Sequence, residues 1–156
     1  MDYMTIKEAA VKWGMGDAAA DCEDACNMIV QVWQNSILHE DDEDTDKYTK
    51  DSNGEFYEDF NDSLGCLFYD EEFSSTMTDI VDRDDEVDEL MKKLNNPPEG
   101  YEDAYKALQT FFSSYTNIAN LATNTNGSLN SFSKDFNDVE SETVNAYKAA
   151  LIYVED

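Results

Sequence analysis

The sequence predicts an all-α protein, an antiparallel helical bundle of about four to five main helices plus a short N-terminal helix, and three observations predict it. Apolar residues recur at alternating gaps of three and four through three long segments, the period of one buried helix face. No segment shows the strict apolar–polar alternation of a half-buried strand. Only two prolines and six glycines interrupt 156 residues, so long helices can run unbroken. The length suits one domain with one sizeable core. It is read as a single acidic domain over 1–156, with an N-terminal helix and turn at 1–16 and an acidic loop at 39–54.

The elements follow in order. Thr5 and Glu8 have the spacing of a capping box. They open a short helix whose Ile6, Ala9, Ala10 and Trp13 share a face, and Gly14 ends or kinks it. A second helix runs from about Asp17 to Leu38 with Cys22, Cys26, Ile29, Trp33 and Ile37 on its seam. His39 to Phe56 holds a dense block of acids, no apolar period and a turn signal at Asn53-Gly54. It reads as an exposed loop. A short helix from about Glu55 to Tyr69 buries Phe56, Phe60, Leu64 and Leu67.

The next helix, from about Glu71 to Asn95, carries Phe73, Met77, Ile80, Asp84, Val87, Met91 and Leu94 on its seam. The segment "NNPP" stops it, because a residue before proline disfavours helical geometry, and Pro98 can occupy the first turn of the following helix. That helix reaches about Ala122 with Tyr101, Tyr105, Leu108, Phe112, Tyr115, Ala119 and Ala122 on one face. After "TNTNGS" the last helix spans about Ser131 to Val154, carrying Phe132, Phe136, Val139, Thr143, Ala146, Ala150 and Tyr153. Seams of this kind on successive long helices are those of an antiparallel bundle.

Charge is the compositional outlier. Thirty-six Asp and Glu face ten Lys and Arg, a formal net charge of −26. Such a chain repels phosphate backbones and anionic membranes, so direct nucleic-acid binding and membrane binding are excluded as expectations. A hydrophobic fraction of 41% also excludes a wholly disordered chain. The N-terminus lacks a basic region followed by an apolar run, and no stretch approaches the length of a membrane span. With three cysteines, Cys22, Cys26 and Cys66, the expectation is a cytoplasmic protein with reduced thiols. A chain whose export signal had been removed reads the same way.

Two resemblances can be traced to particular residues. "MTIKEAAVKWGM", Met4 to Met15, resembles the first helix of MerR-like helix-turn-helix domains. DNA readers of that kind need Arg, Lys, Asn or Ser at the start of the next helix. Here "GDAAADCEDAC" puts carboxylates in that place. "VWQNSI", "MKKLNNPPEGYEDAYKAL" and "NGSLNSFSKDFND" resemble a helical module of uncharacterised, often lipoprotein-like, proteins of Gram-positive bacteria, over about 22–156. That resemblance implies a helical bundle and carries no activity with it. The chain departs from that group in having no lipobox.

Candidate chemistry is sparse. Cys22 and Cys26 are one helical turn apart, with His39 and Cys66 elsewhere, but a zinc site needs a second closely spaced pair. They read as small core residues. Around Gly54, an EF-hand register puts Asp51 and Asn53 at ligand positions but Thr49 first and Phe60 twelfth, where carboxylates are required. One histidine in a polar loop, no phosphate-cradling glycine loop and no nucleophile elbow leave no catalytic residues to nominate. The chain is expected to be no enzyme and to hold no metal or cofactor. Asp84 interrupts its seam either as a register-setting polar residue or as a solvated one.

The acids come in runs: Glu40–Asp46, Glu55–Asp62, Asp70–Glu72, Asp79–Glu89, Glu99–Asp103 and Asp135–Glu142. The expected function is a non-enzymatic inhibitor that mimics DNA and fills the basic nucleic-acid-binding groove of a partner protein. Several anti-CRISPR proteins of phages and mobile elements belong to that class, so a Cas9-type CRISPR effector nuclease is one partner to test. The nominated contacts are Asp79, Asp82, Asp85, Glu86 and Glu89, with Glu40, Asp41, Asp42, Glu43 and Asp44 from the loop. The alternative is an extracytoplasmic or envelope-associated helical interaction module whose acids only solvate its surface. The sequence leaves the oligomeric state open.

Overall fold

The computed structural model describes residues 14–93 and 99–154. The expected N-terminal helix, with its helix-turn-helix-like start, and the "NNPP" breaker from Asn95 lie outside the described residues, as does Leu94. The described residues form six helices: α1 (Met15–Leu38), α2 (Asp46–Thr49), α3 (Phe60–Tyr69), α4 (Glu71–Lys93), α5 (Glu102–Thr123) and α6 (Leu129–Val154). The all-α bundle read from the periodicity is the architecture observed. Among the described residues there is no strand, only an isolated antiparallel bridge between Lys50 and Phe56.

α1 touches all five other helices, which explains why Cys22, Cys26, Ile29 and Val32 are sealed from solvent. α6 runs antiparallel to it: Trp33 meets Phe132 at one end, ring centroids 5.9 Å apart, and Gly16 meets Tyr147 at the other. A Cβ on Gly16 would stand 2.8 Å from the Tyr147 hydroxyl oxygen, so a side chain there requires the tip of the Tyr147 ring to move aside. α5 and α6 form a hairpin, with Phe111 against Tyr147 (centroids 5.7 Å apart) and the Thr143 hydroxyl donating to the Ser114 carbonyl at 3.4 Å. At its turn Gly127 takes φ +76, a conformation that suits glycine. Ser128 and Ser131 then exchange reciprocal backbone-to-side-chain bonds of 3.0 and 3.1 Å to start α6.

α4 lies antiparallel on α5, where the Tyr115 hydroxyl donates to the Ile80 carbonyl and the Tyr105 hydroxyl to the Met91 carbonyl, each at 3.4 Å. Asp84 is neither core nor freely solvated: half-buried, it accepts a 2.8 Å bond from the Thr116 hydroxyl and fixes α4 against α5.

Two expected boundaries need correction. The segment 39–54 is not simply an exposed loop. His39 takes the left-handed conformation (φ 54) at the end of α1 and stacks on Phe56, centroids 4.9 Å apart. Beyond it, Thr45, Tyr48 and Thr49 are buried, and 46–49 is helical. Hydrogen bonds hold it in place of an apolar stripe: Asn35 Nδ2 donates to Thr45 Oγ1 at 2.9 Å and to Asp42 Oδ2 at 3.3 Å. The next helix starts at Phe60 rather than near Glu55, because Asp59 is its N-cap and accepts from the Asn61 amide at 2.8 Å.

Candidate protein-interaction surface

The acidic run on α4 forms a face. Asp79, Asp82, Asp85, Glu86 and Glu89 are all exposed. At about 100° per residue they fall within roughly 120° of the helix circumference, centred opposite the stripe of Phe73, Ile80, Val87 and Met91. None of the five pairs with a described cation. Arg83, the one arginine of the chain, points off the flank to Asp21 of α1, 3.0 Å away. Residues 79–89 carry seven carboxylates in all, over about 16 Å of helix. Asp84 and Asp88 are half-buried and engaged with Thr116 and Lys92, so the five outward ones amount to roughly one per 3 Å, against about one phosphate charge per 3.4 Å along a single DNA strand.

The loop acids divide differently. Glu40, Asp41, Glu43 and Asp44 are exposed, whereas Asp42 is half-buried. Asp42 Oδ1 accepts from the Asp44 amide at 2.9 Å, and its Oδ2 receives the Asn35 bond. Asp41 is paired with Lys50, which also reaches Asp46 at 3.3 Å. Asp46 in turn accepts from the Asp42 amide, and that bond and Lys50 hold its carboxyl below the usual range. Glu43 and Asp44 line a cleft of about 480 Å³ with Tyr48, Phe73, Asp70 and Glu72. In that cleft Lys47 sits 4.8 Å above the Tyr48 ring centroid. The loop thus brings two nominated acids to the start of α4, separate from the outward stripe farther along it.

Cys22 and Cys26 are buried, and burial pushes each thiol up to about 12. Cys66 lies apart, its thiol 3.8 Å from the Tyr57 hydroxyl. Asp51 Oδ1 is spent on the amides of Asn53 and Glu55, at 2.8 and 3.1 Å. Among the described residues no group of three or more His, Cys, Asp or Glu converges to hold a metal, and no helix is long and apolar enough to cross a membrane.

Two features went unnoticed in the sequence. Residues 107–133 contain no charged side chain, so the exposed Gln109, Thr110, Ser113 and Asn117 of α5 make a neutral polar face beside acidic α4. That gap in charge was legible. The clefts between the two helices were not. One of about 540 Å³ is lined by Asp88, Met91, Tyr105 and Phe112, and another, of about 670 Å³, lies between α4 and the end of α5. No protein-family model matches the chain, and no curated protein or solved structure matches it.

Proposed function

We propose that this chain is a non-enzymatic binding protein that covers a basic, nucleic-acid-binding surface of a partner protein by presenting carboxylates in place of phosphates. The observation that carries the reading is the one-sided α4 stripe: five exposed carboxylates without a described cation, next to a helix face with no charge. Charge of one sign on one face steers a basic partner and fixes its orientation. The density of exposed carboxylates along α4 is of the order found along one strand of duplex DNA. Glu43 and Asp44 add acidic surface at the start of α4.

The test combines a variant with a competitor. The protein is immobilised, exposed to nuclease-treated bacterial lysate, and eluted with duplex DNA and then with rising salt. The reading expects a basic DNA-binding protein, nucleases of the CRISPR effector class included, to leave with DNA. Reversing Asp82, Asp85, Glu86 and Glu89 to lysine should abolish that capture while the helical signal and the melting temperature persist. Capture that survives the reversal rejects the assignment.

A second reading, an envelope-associated interaction module, draws on a different observation. Asp42, Asp51, Asp59 and Asp70 each accept backbone amides within the fold. Part of the acidity therefore serves turns and helix starts whatever the partner. A captured partner indifferent to DNA favours this reading.

A further inference from the structure

We infer that the cleft between α4 and the end of α5 receives a single arginine side chain presented by a protein partner. The inference rests on the reading of α4 as the face that meets a basic protein, and it names the group α4 takes. Three observations carry it. The cleft, of about 670 Å³, has apolar walls left open to solvent: Phe68 and Val81 are 37% and 46% exposed, and Met77 also lines it. Its α4 side bears Asp82, flanked along the same face by Asp79 and Asp85. Its other side bears Asn124 and Thr125, and Thr125 Oγ1 is buried with no hydrogen-bond partner among the described residues.

Arginine satisfies all three. Its methylene stem covers apolar surface while the charged head reaches a polar rim. The planar guanidinium gives two parallel N–H donors to a carboxylate such as Asp82 and keeps others for the amide oxygen of Asn124 and the hydroxyl of Thr125. It also stacks on an aromatic face, which Phe68 offers. A turn about the χ1 bond of Thr125 would be needed to bring its buried hydroxyl to the ligand, and it would break no hydrogen bond among the described residues. Lysine offers a compact point charge and cannot serve those acceptors in one plane. An apolar peptide would desolvate Asp82 without pairing it, and an anion would meet three carboxylates.

Methyl-resolved NMR of the full chain tests the cleft without any partner. The probe is Nα-acetyl-arginine amide, with the lysine and citrulline counterparts as controls. Saturable shifts are expected at the methyls of Met77, Val81 and Thr125, with lysine weaker by about tenfold and neutral citrulline inert. Asp82→Asn and Thr125→Val should each weaken arginine by roughly fivefold or more. Asp103→Asn, which removes an exposed charge at the opposite end of α5 from the cleft, should leave it within about twofold. Thr125→Val removes no hydrogen bond of the fold, and an unchanged circular dichroism spectrum verifies that it folds.

The inference is overturned if both cleft variants titrate like the wild type, or if arginine and lysine shift acidic surfaces throughout the molecule alike. Failure here is separable from failure of the proposed function. A DNA-displaceable partner indifferent to Thr125→Val overturns the cleft and spares α4. Arginine held in the cleft with no such partner upholds the cleft and removes the function.

Discussion

The Ser36 and Ser63 hydroxyls meet at 2.7 Å where α1 crosses α3, both sealed from solvent. Neither side chain has a second side-chain hydrogen-bond partner among the described residues, so the pair supports a double-mutant cycle. Replacing either serine with alanine leaves the other hydroxyl buried and unsatisfied, at a cost of about 1–3 kcal/mol. Alanine's better helix propensity returns roughly 0.5 kcal/mol in each helix. Each single variant should therefore lose about 0.5–2.5 kcal/mol. The double variant leaves no orphan, exchanges one net hydrogen bond for two propensity gains, and should fall within about 0.5 kcal/mol of the wild type. Urea unfolding followed by far-UV circular dichroism measures all four corners, and equal m-values show that the denatured state has not changed. Two neutral single variants, or a double variant that loses the sum of the singles, would refute the account of this crossing as a closed hydroxyl pair.

Two further outcomes follow from the titratable groups. With Cys22 and Cys26 buried and their thiols pushed up to about 12, a chromogenic disulfide reagent at mildly alkaline pH should label only half-buried Cys66 in the folded protein and all three thiols in denaturant; rapid native labelling of three thiols contradicts the packing of α1. Glu23 on α1 shares a proton-mediated hydrogen bond with Glu140 on α6, and that bond, with burial and the repulsion between the two carboxyls, raises its pKa. A carboxyl raised in the folded state favours folding below its unfolded pKa, near 4.3, and that contribution is lost as pH rises through the folded value. Glu23→Gln should therefore be more stable than the wild type at neutral pH, with the gain shrinking on acidification, as urea midpoints across pH will reveal; a gain independent of pH argues against the pair.

The fold was legible wherever apolar residues repeat on a helix. Phe73, Ile80, Val87 and Met91 of α4, and Phe132, Phe136, Ala146 and Ala150 of α6, are buried as their spacing implies. α5 shows the limit of that logic. It is enclosed by α1, α4 and α6, so its buried surface is wider than one seam, and Phe111 and Ile118 are as buried as Tyr115. Ile37, on the α1 seam, is 49% exposed because the last turn runs past the core, while Ser36 and Asn35 turn inward to hydrogen-bonding partners. The segment after His39 was opaque for a related reason. Its order comes from links between Asn35, Asp42 and Thr45 at separations that leave no periodic trace. For the site, the exposure of the α4 acids could be read from their phase against the apolar stripe. The internal use of Asp42 could not, because it depends on how a turn folds back onto α1.

The acids on α4 are costly neighbours, and that cost bears on what they are for. Residues three and four apart share a helix face, and like charges in those positions destabilise by about 0.2–0.5 kcal/mol per pair. Asp79–Asp82, Asp82–Asp85, Asp82–Glu86, Asp85–Glu89 and Glu86–Glu89 are five such pairs on one exposed stripe, a penalty of roughly 1–2.5 kcal/mol at low salt. A coat of charge meant only for solubility avoids this by spreading its acids, and the neutral outer positions of α5 at Gln109, Ser113 and Asn117 lie ready to take them. On the proposed reading, concentration on α4 serves to meet cations that arrive together and in register, as on a basic protein surface. If α4 is the docking face proposed above, the repulsion held in the free protein would be relieved on docking, and the crowding that weakens α4 alone would strengthen its preference for a partner of dense positive charge.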